Sequence, residues 1–139
     1  MHDTALVLHS WIRWIVLIAG VMTTVGAFSG TAGRTAKFFT IALDIQFLFG
    51  LILLFTTNAF TDFGATMRDP IARFYAVEHG TIMIVAIALA HIGRAKLRKI
   101  ADPAKARTTA LVFFGLATLL IVFGTPWPGV RDSRPLFRL

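Results

Sequence analysis

His9, Arg13, Asp44, Gln46, Glu78, His79 and His91 interrupt stretches of this 139-residue chain that are otherwise apolar. Ionisable groups in such stretches are costly in lipid, so they are where chemistry is sought. His9 and Arg13 are four residues apart and share one helix face. His79 lies at nearly the same depth in a later stretch, with Tyr75 one turn before it and Arg73 at the start. Two imidazoles at one depth on non-adjacent helices of a bundle can grip a flat ligand from both sides, as haem b requires. Arg13 and Arg73 would then neutralise its propionates. The competing reading makes Arg13 a snorkelling anchor between Trp11 and Trp14, with His9 and His79 in structural or quinone-type hydrogen bonds.

The remaining polar groups suggest pairings. Glu78 is the single glutamate of the chain, about 100° round the helix from His79, and is expected to pair with Arg13 or Arg73. His91 follows His79 by twelve residues, so it stands about 18 Å further along the axis and cannot share a small metal ion with it. Asp44 lies at a depth where it can meet His91 as a buried carboxylate–imidazole pair, either a structural lock or a proton relay. Gln46 and Gly50 are four apart, and Gly50 admits a close neighbour, either a helix or a flat ring. Met83 could offer an axial thioether, against the commoner role of filling a gap.

Other chemistries find no residues. Zero cysteines exclude disulfides, Cys-ligated zinc or iron–sulfur centres and covalent haem attachment. A di-iron bundle needs several glutamates and paired Glu-x-x-His motifs, which are missing. Neither a phosphate loop nor a Ser-His-Asp arrangement is present.

The elements that must position these side chains follow from composition. With 56% hydrophobic residues, 15% charged and a mean hydropathy of +0.73, the chain suits a bilayer better than water. Four spans are expected, at about 6–28, 38–55, 73–92 and 109–125. Short connections favour one antiparallel up-down-up-down four-helix transmembrane bundle, all-α, as a single domain. The first stretch lacks a basic n-region and a cleavage site, and reads as a retained helix rather than a signal peptide. Eight of the 14 Lys and Arg residues fall in the first and third connections, a pattern of membrane orientation rather than of nucleic-acid binding. The positive-inside rule then places both termini outside, although Arg131, Arg134 and Arg138 reduce the contrast. Pro126, Trp127 and Pro128 end the fourth helix and anchor it at headgroup depth.

The runs LHSWIRW (8–14), IQFLFGLILL (45–54), RFYAVEHGTIM (73–83), AIALAHIGRAK (86–96), PWP (126–128) and RPLFR (134–138) span nearly the whole chain. As a set, this sequence resembles a family of small four-helix bacterial membrane proteins commonly labelled cytochrome b-like. His9, Arg13, Gln46, Arg73, Glu78 and His79 match that family's pattern. Asp44 departs from it, since related sequences carry His before the Ile-Gln pair, which counts against a ligand from the second helix. The resemblance implies haem b and electron transfer in a bacterial inner membrane, with quinone or a larger respiratory complex as partner and a homo-oligomer as one possible assembly. The rival reading is a non-catalytic accessory or assembly subunit whose polar residues pair helices. A small transporter or proton channel ranks last, because four short helices would need to oligomerise to form a continuous polar line.

Overall fold

The computed structural model describes residues 1–130, Pro135 and Phe137. Arg131, Asp132, Arg134 and Arg138, which entered the charge argument, lie outside the described residues. The chain folds as α1 (His2–Ser29), α2 (Ala32–Thr56), the short α3 (Phe63–Arg68) and α4 (Pro70–Arg73), a π-turn (Phe74–Glu78), α5 (His79–Leu97) and α6 (Pro103–Gly124). No strand occurs among the described residues. Four helices are long and apolar enough to cross a membrane: α1, α2, the continuous run Pro70–Leu97 and α6. The protein is an all-α bundle of four membrane-spanning helices, each longer than its apolar stretch because polar turns extend it at the ends.

Helix boundaries follow local chemistry. Asp69 and Asp102 each precede a proline at the first helical position and cap the helix with a carboxylate, Asp69 to the amides of Ile71 (2.8 Å) and Ala72 (3.3 Å), Asp102 to that of Lys105 (3.2 Å). Asp62 caps α3 in the same way. Gly30 ends α1 in the left-handed region (φ 73°), which lets the chain reverse into α2 within two residues.

The helices pack in a ring, α1 against α2 and α6, and the third span against the same two, so α1 and the third span face each other across the diagonal. Exposed Ile15, Ile18, Met22 and Val25 form a stripe on α1, as a lipid-facing surface requires.

The two ends of the bundle are packed differently. In the half nearer the basic connections, Phe39 and Phe114 are fully buried among Ala36, Ala86, Ala90, Ala110 and Ala117. Small residues bring backbones together there: a Cβ on Gly93 would lie 2.5 Å from that of Phe113, and one on Gly20 would lie 2.6 Å from Thr118 Oγ1. Buried Thr23 and Thr40 return their hydroxyls to carbonyls of their own helices, so polarity is satisfied without separating the helices. The half nearer the termini is less closely packed. No residue of α2 from Asp44 to Thr56 is buried, and none of the third span from Tyr75 to Val85. His9 and His79 stand in this half, and His91 in the other.

Candidate functional site

His9 reaches from α1 to α2, where its Nδ1 donates to the Gln46 carbonyl oxygen at 3.2 Å. Gln46 returns the contact through its amide nitrogen, which donates to the His9 carbonyl at 2.9 Å. Gly50 makes the first bond geometrically possible. It follows Gln46 by one turn, and a Cβ there would lie 3.3 Å from His9 Cε1, over the carbonyl the ring must reach. The flat ring that Gly50 admits is therefore the imidazole of His9. Gln46 Oε1 is buried with no hydrogen-bond partner, an acceptor left open beside the ring.

His79 is held by the same device. Its Nδ1 donates to the carbonyl of Gly124, the last residue of α6, at 2.8 Å. That carbonyl is available because the residue four positions on is Pro128, which has no amide hydrogen to give it. The Pro-Trp-Pro end of α6 thus does more than stop a helix. Trp127 turns back, donating from its indole to the Val122 carbonyl at 2.8 Å and packing edge-on against Trp14, with ring centroids 6.2 Å apart.

A carbonyl only accepts, so both rings carry their proton on Nδ1 and present an Nε2 lone pair. No hydrogen bond takes up either Nε2 among the described residues. Imidazoles that ligate a metal commonly donate their other nitrogen to a backbone carbonyl, which sets tautomer and orientation. The ring centroids of His9 and His79 are 6.3 Å apart at an interplanar angle of 74°. Two imidazoles bound on opposite sides of one first-row metal ion, with bonds of about 2 Å, hold their centroids about 6 Å apart. Among the described residues no group of three or more His, Cys, Asp or Glu could hold a bare ion. A pair of imidazoles is instead the protein's share of a six-coordinate haem, which brings four nitrogens of its own. Tautomer and spacing both fit that group.

The π-turn changes what lies beneath His79. The His79 amide bonds to the carbonyl of Phe74, five residues back, and the extra residue advances the register by about 100°. Buried Phe74 therefore sits under the imidazole, 5.9 Å between centroids, where ordinary helical spacing put Tyr75. Tyr75 packs edge-on against Phe74 instead, at 5.2 Å. The same wide turn brings Arg73 and Glu78 together, Nε donating to Oε1 at 3.0 Å. Arg73, one of the two partners expected for Glu78, is found beside it. Arg73 is thus engaged by a carboxylate. Arg13 starts one turn deeper than His9, but helical side chains lean towards the N-terminus, back towards that ring.

Asp44 and His91 do meet, with His91 Nε2 donating to Asp44 Oδ1 at 2.8 Å. They are not a buried pair: their side chains are 52% and 44% exposed. The register of α2 sets Asp44 on the outward stripe with Ile41, Ile45 and Leu48. The pair stands apart from the His9–His79 site.

Met83 fills space rather than offering a ligand, with its methyl over Gly124. An alanine Cβ at Gly124 would lie 2.5 Å from Met83 Cε and 2.8 Å from Ile82 Cγ2. Gly124→Ala is therefore expected to destabilise the bundle by about 1–3 kcal/mol and to displace the carbonyl that orients His79. Thermal unfolding in detergent measures the first effect; an unchanged melting temperature would mean that the contact yields freely.

Sequence reasoning missed Phe74, the Gly124 carbonyl and His2, whose Nδ1 meets Thr56 Oγ1 at 2.9 Å and ties the start of α1 to the end of α2. Only the second carried a signal, in the proline four residues after a helix end. No protein-family model, curated protein or solved structure matches this chain.

Proposed function

We propose that this chain is a b-type cytochrome or cytochrome-like subunit that holds haem between α1 and the third span and passes electrons within a bacterial inner membrane. The reading rests on two diagonal imidazoles, each tethered through Nδ1 to a neighbouring helix, with their Nε2 lone pairs uncommitted among the described residues and their ring centroids 6.3 Å apart. His9 and His79 would be the axial ligands, and Arg13 the counter-charge for a propionate. Phe74, Tyr75 and Trp14 would line the site and exclude water. Haem supplies reversible one-electron exchange when bound. The protein's part is to fix the tautomer of each ligand and to bury the group between apolar helices. Quinone or a larger respiratory complex is the proposed exchange partner. Resemblance to the cytochrome b-like family supports the same assignment.

The test is the absorption spectrum of the detergent-solubilised protein, oxidised and dithionite-reduced, with a pyridine haemochrome assay. A sharp Soret band, split reduced bands and one haem per chain are expected. A colourless, folded protein after haem-supplemented expression would return His9 and His79 to helix pairing and favour the accessory-subunit reading.

We also propose that both termini face the periplasm, on the strength of the eight basic residues at the opposite end. The chain has no cysteine, so single reporters are clean. Thr4→Cys should react with a membrane-impermeant maleimide on intact spheroplasts, and Ala101→Cys only after lysis. The reverse pattern would invert the topology.

A further inference from the structure

We propose that the basic end of the bundle is a binding surface for anionic phospholipid, whose headgroup phosphates are held by Arg94, Lys96 and Arg107. The inference is independent of haem.

Charge is the first argument. The two connections at this end, residues 30–37 and 94–107, carry eight Lys and Arg residues and a single acidic one, Asp102. That carboxylate caps α6 through the Lys105 amide, and none of the eight cations forms an ion pair among the described residues. This end therefore presents an uncompensated positive field.

Eight cations would also suit a soluble anion, so the partner is decided by where they lie. Counting about 1.5 Å per helical residue, the Cα atoms of Arg94, Lys96 and Arg107 stand about 3, 6 and 3 Å beyond the apolar stretches that end at Ile92 and begin at Thr109. Headgroups occupy about 5–8 Å on each side of the hydrocarbon. The three side chains then lie along the bundle instead of standing out into water. Arg107 lays its guanidinium over Phe28 of α1, 4.5 Å from the ring centroid, and Lys96 its ammonium over Phe113 of α6 at 5.9 Å. Arg94 Nη1 donates to Thr40 Oγ1 of α2 at 3.2 Å.

Each of these contacts crosses to a neighbouring helix, so the three cations sit on three different seams of the ring within one headgroup layer. A soluble anion must enter that layer to reach them, whereas a lipid phosphate already occupies it. Capacity to bind remains. A ring face accepts charge without taking up a particular N–H, so the guanidinium of Arg107 and the ammonium of Lys96 keep donors for phosphate oxygens.

The test is electron spin resonance of the full chain in phosphatidylcholine vesicles doped with spin-labelled phosphatidylglycerol or spin-labelled phosphatidylcholine, which measures how much of each label is held at the protein surface. The anionic label should be preferred at least ~3-fold in low salt, and the preference should vanish at about 1 M NaCl, where the Debye length falls to about 3 Å. Lys96→Gln/Arg107→Gln should lower it at least ~2-fold. Arg98→Gln/Lys99→Gln removes the same charge from positions about 9 Å or more beyond the apolar stretch, and should retain more of the preference. If the first double variant fails to accumulate, Lys96→Gln and Arg107→Gln are measured singly, each with a smaller loss in the same direction. Equal retention of the two labels by the wild type, or a preference that salt leaves unchanged, would overturn the proposal. So would equal losses in the two double variants, which would reduce the surface to net charge. A preference abolished by inorganic phosphate at constant ionic strength would overturn it in favour of a soluble anion.

Discussion

His9→Ala and His79→Ala should each remove the sharp Soret and split reduced bands while the protein stays helical by circular dichroism. The two losses should match, because the rings are held by equivalent tethers and contribute one Nε2 each. Disturbing an outer-shell partner of a metal ligand costs 10–100-fold in affinity, so deleting the ligand itself should lower haem content at least ~10-fold. His2→Ala and His91→Ala are the controls. His2 pairs with Thr56 at the end of the bundle and His91 with Asp44 on its outside, so both variants should keep the wild-type spectrum. A spectrum that survives loss of His79 but not of His91 would move the site to the other half of the molecule.

Phe114→Ala should produce the largest loss of stability, about 3–5 kcal/mol, with Phe39→Ala close behind. Both rings are fully buried and meet edge-to-face at 6.4 Å, so the double variant should cost less than the sum of the singles. The void cannot close by collapse, because Ala86, Ala90, Ala110 and Ala117 already hold the backbones near contact. Denaturant or thermal unfolding in detergent measures the effect. In the fraction that remains folded the absorption maxima should not move, since the damage lies in the packed half and His9 and His79 in the other. Shifted maxima would show that the two halves are mechanically coupled. A stability change below about 1 kcal/mol would mean that the packed half is not the structural core.

Much of this arrangement was legible in the residues. Aspartate caps before Pro70 and Pro103 start two helices three and six residues ahead of the apolar stretches expected from 73 and 109, because the capping turns are polar and lie outside the apolar runs. The Arg73–Glu78 pair was anticipated because an arginine and the lone glutamate lie within reach on one stretch. Asp44 with His91 was anticipated as a partnership, but not its exposure. Depth follows from counting residues, whereas the direction a side chain points around the bundle depends on how each helix is rotated against its neighbours. Tyr75 shows the same gap at short range. Spacing on an ordinary helix puts it beneath His79, and one extra residue in the turn puts Phe74 there instead.

The sequence by itself determined that four apolar helices span a membrane and which polar groups share a depth, because hydrocarbon demands long apolar runs and helix geometry converts residue number into height. Only the tertiary structure decided that the half near the basic connections closes on alanine and phenylalanine while the other half is less closely packed. It alone set the carbonyls of Gln46 and Gly124 against the two imidazoles and turned the Asp44–His91 pair out towards lipid. Those outcomes depend on helix rotation and on bonds between residues 37 and 45 positions apart, which no local rule of sequence specifies.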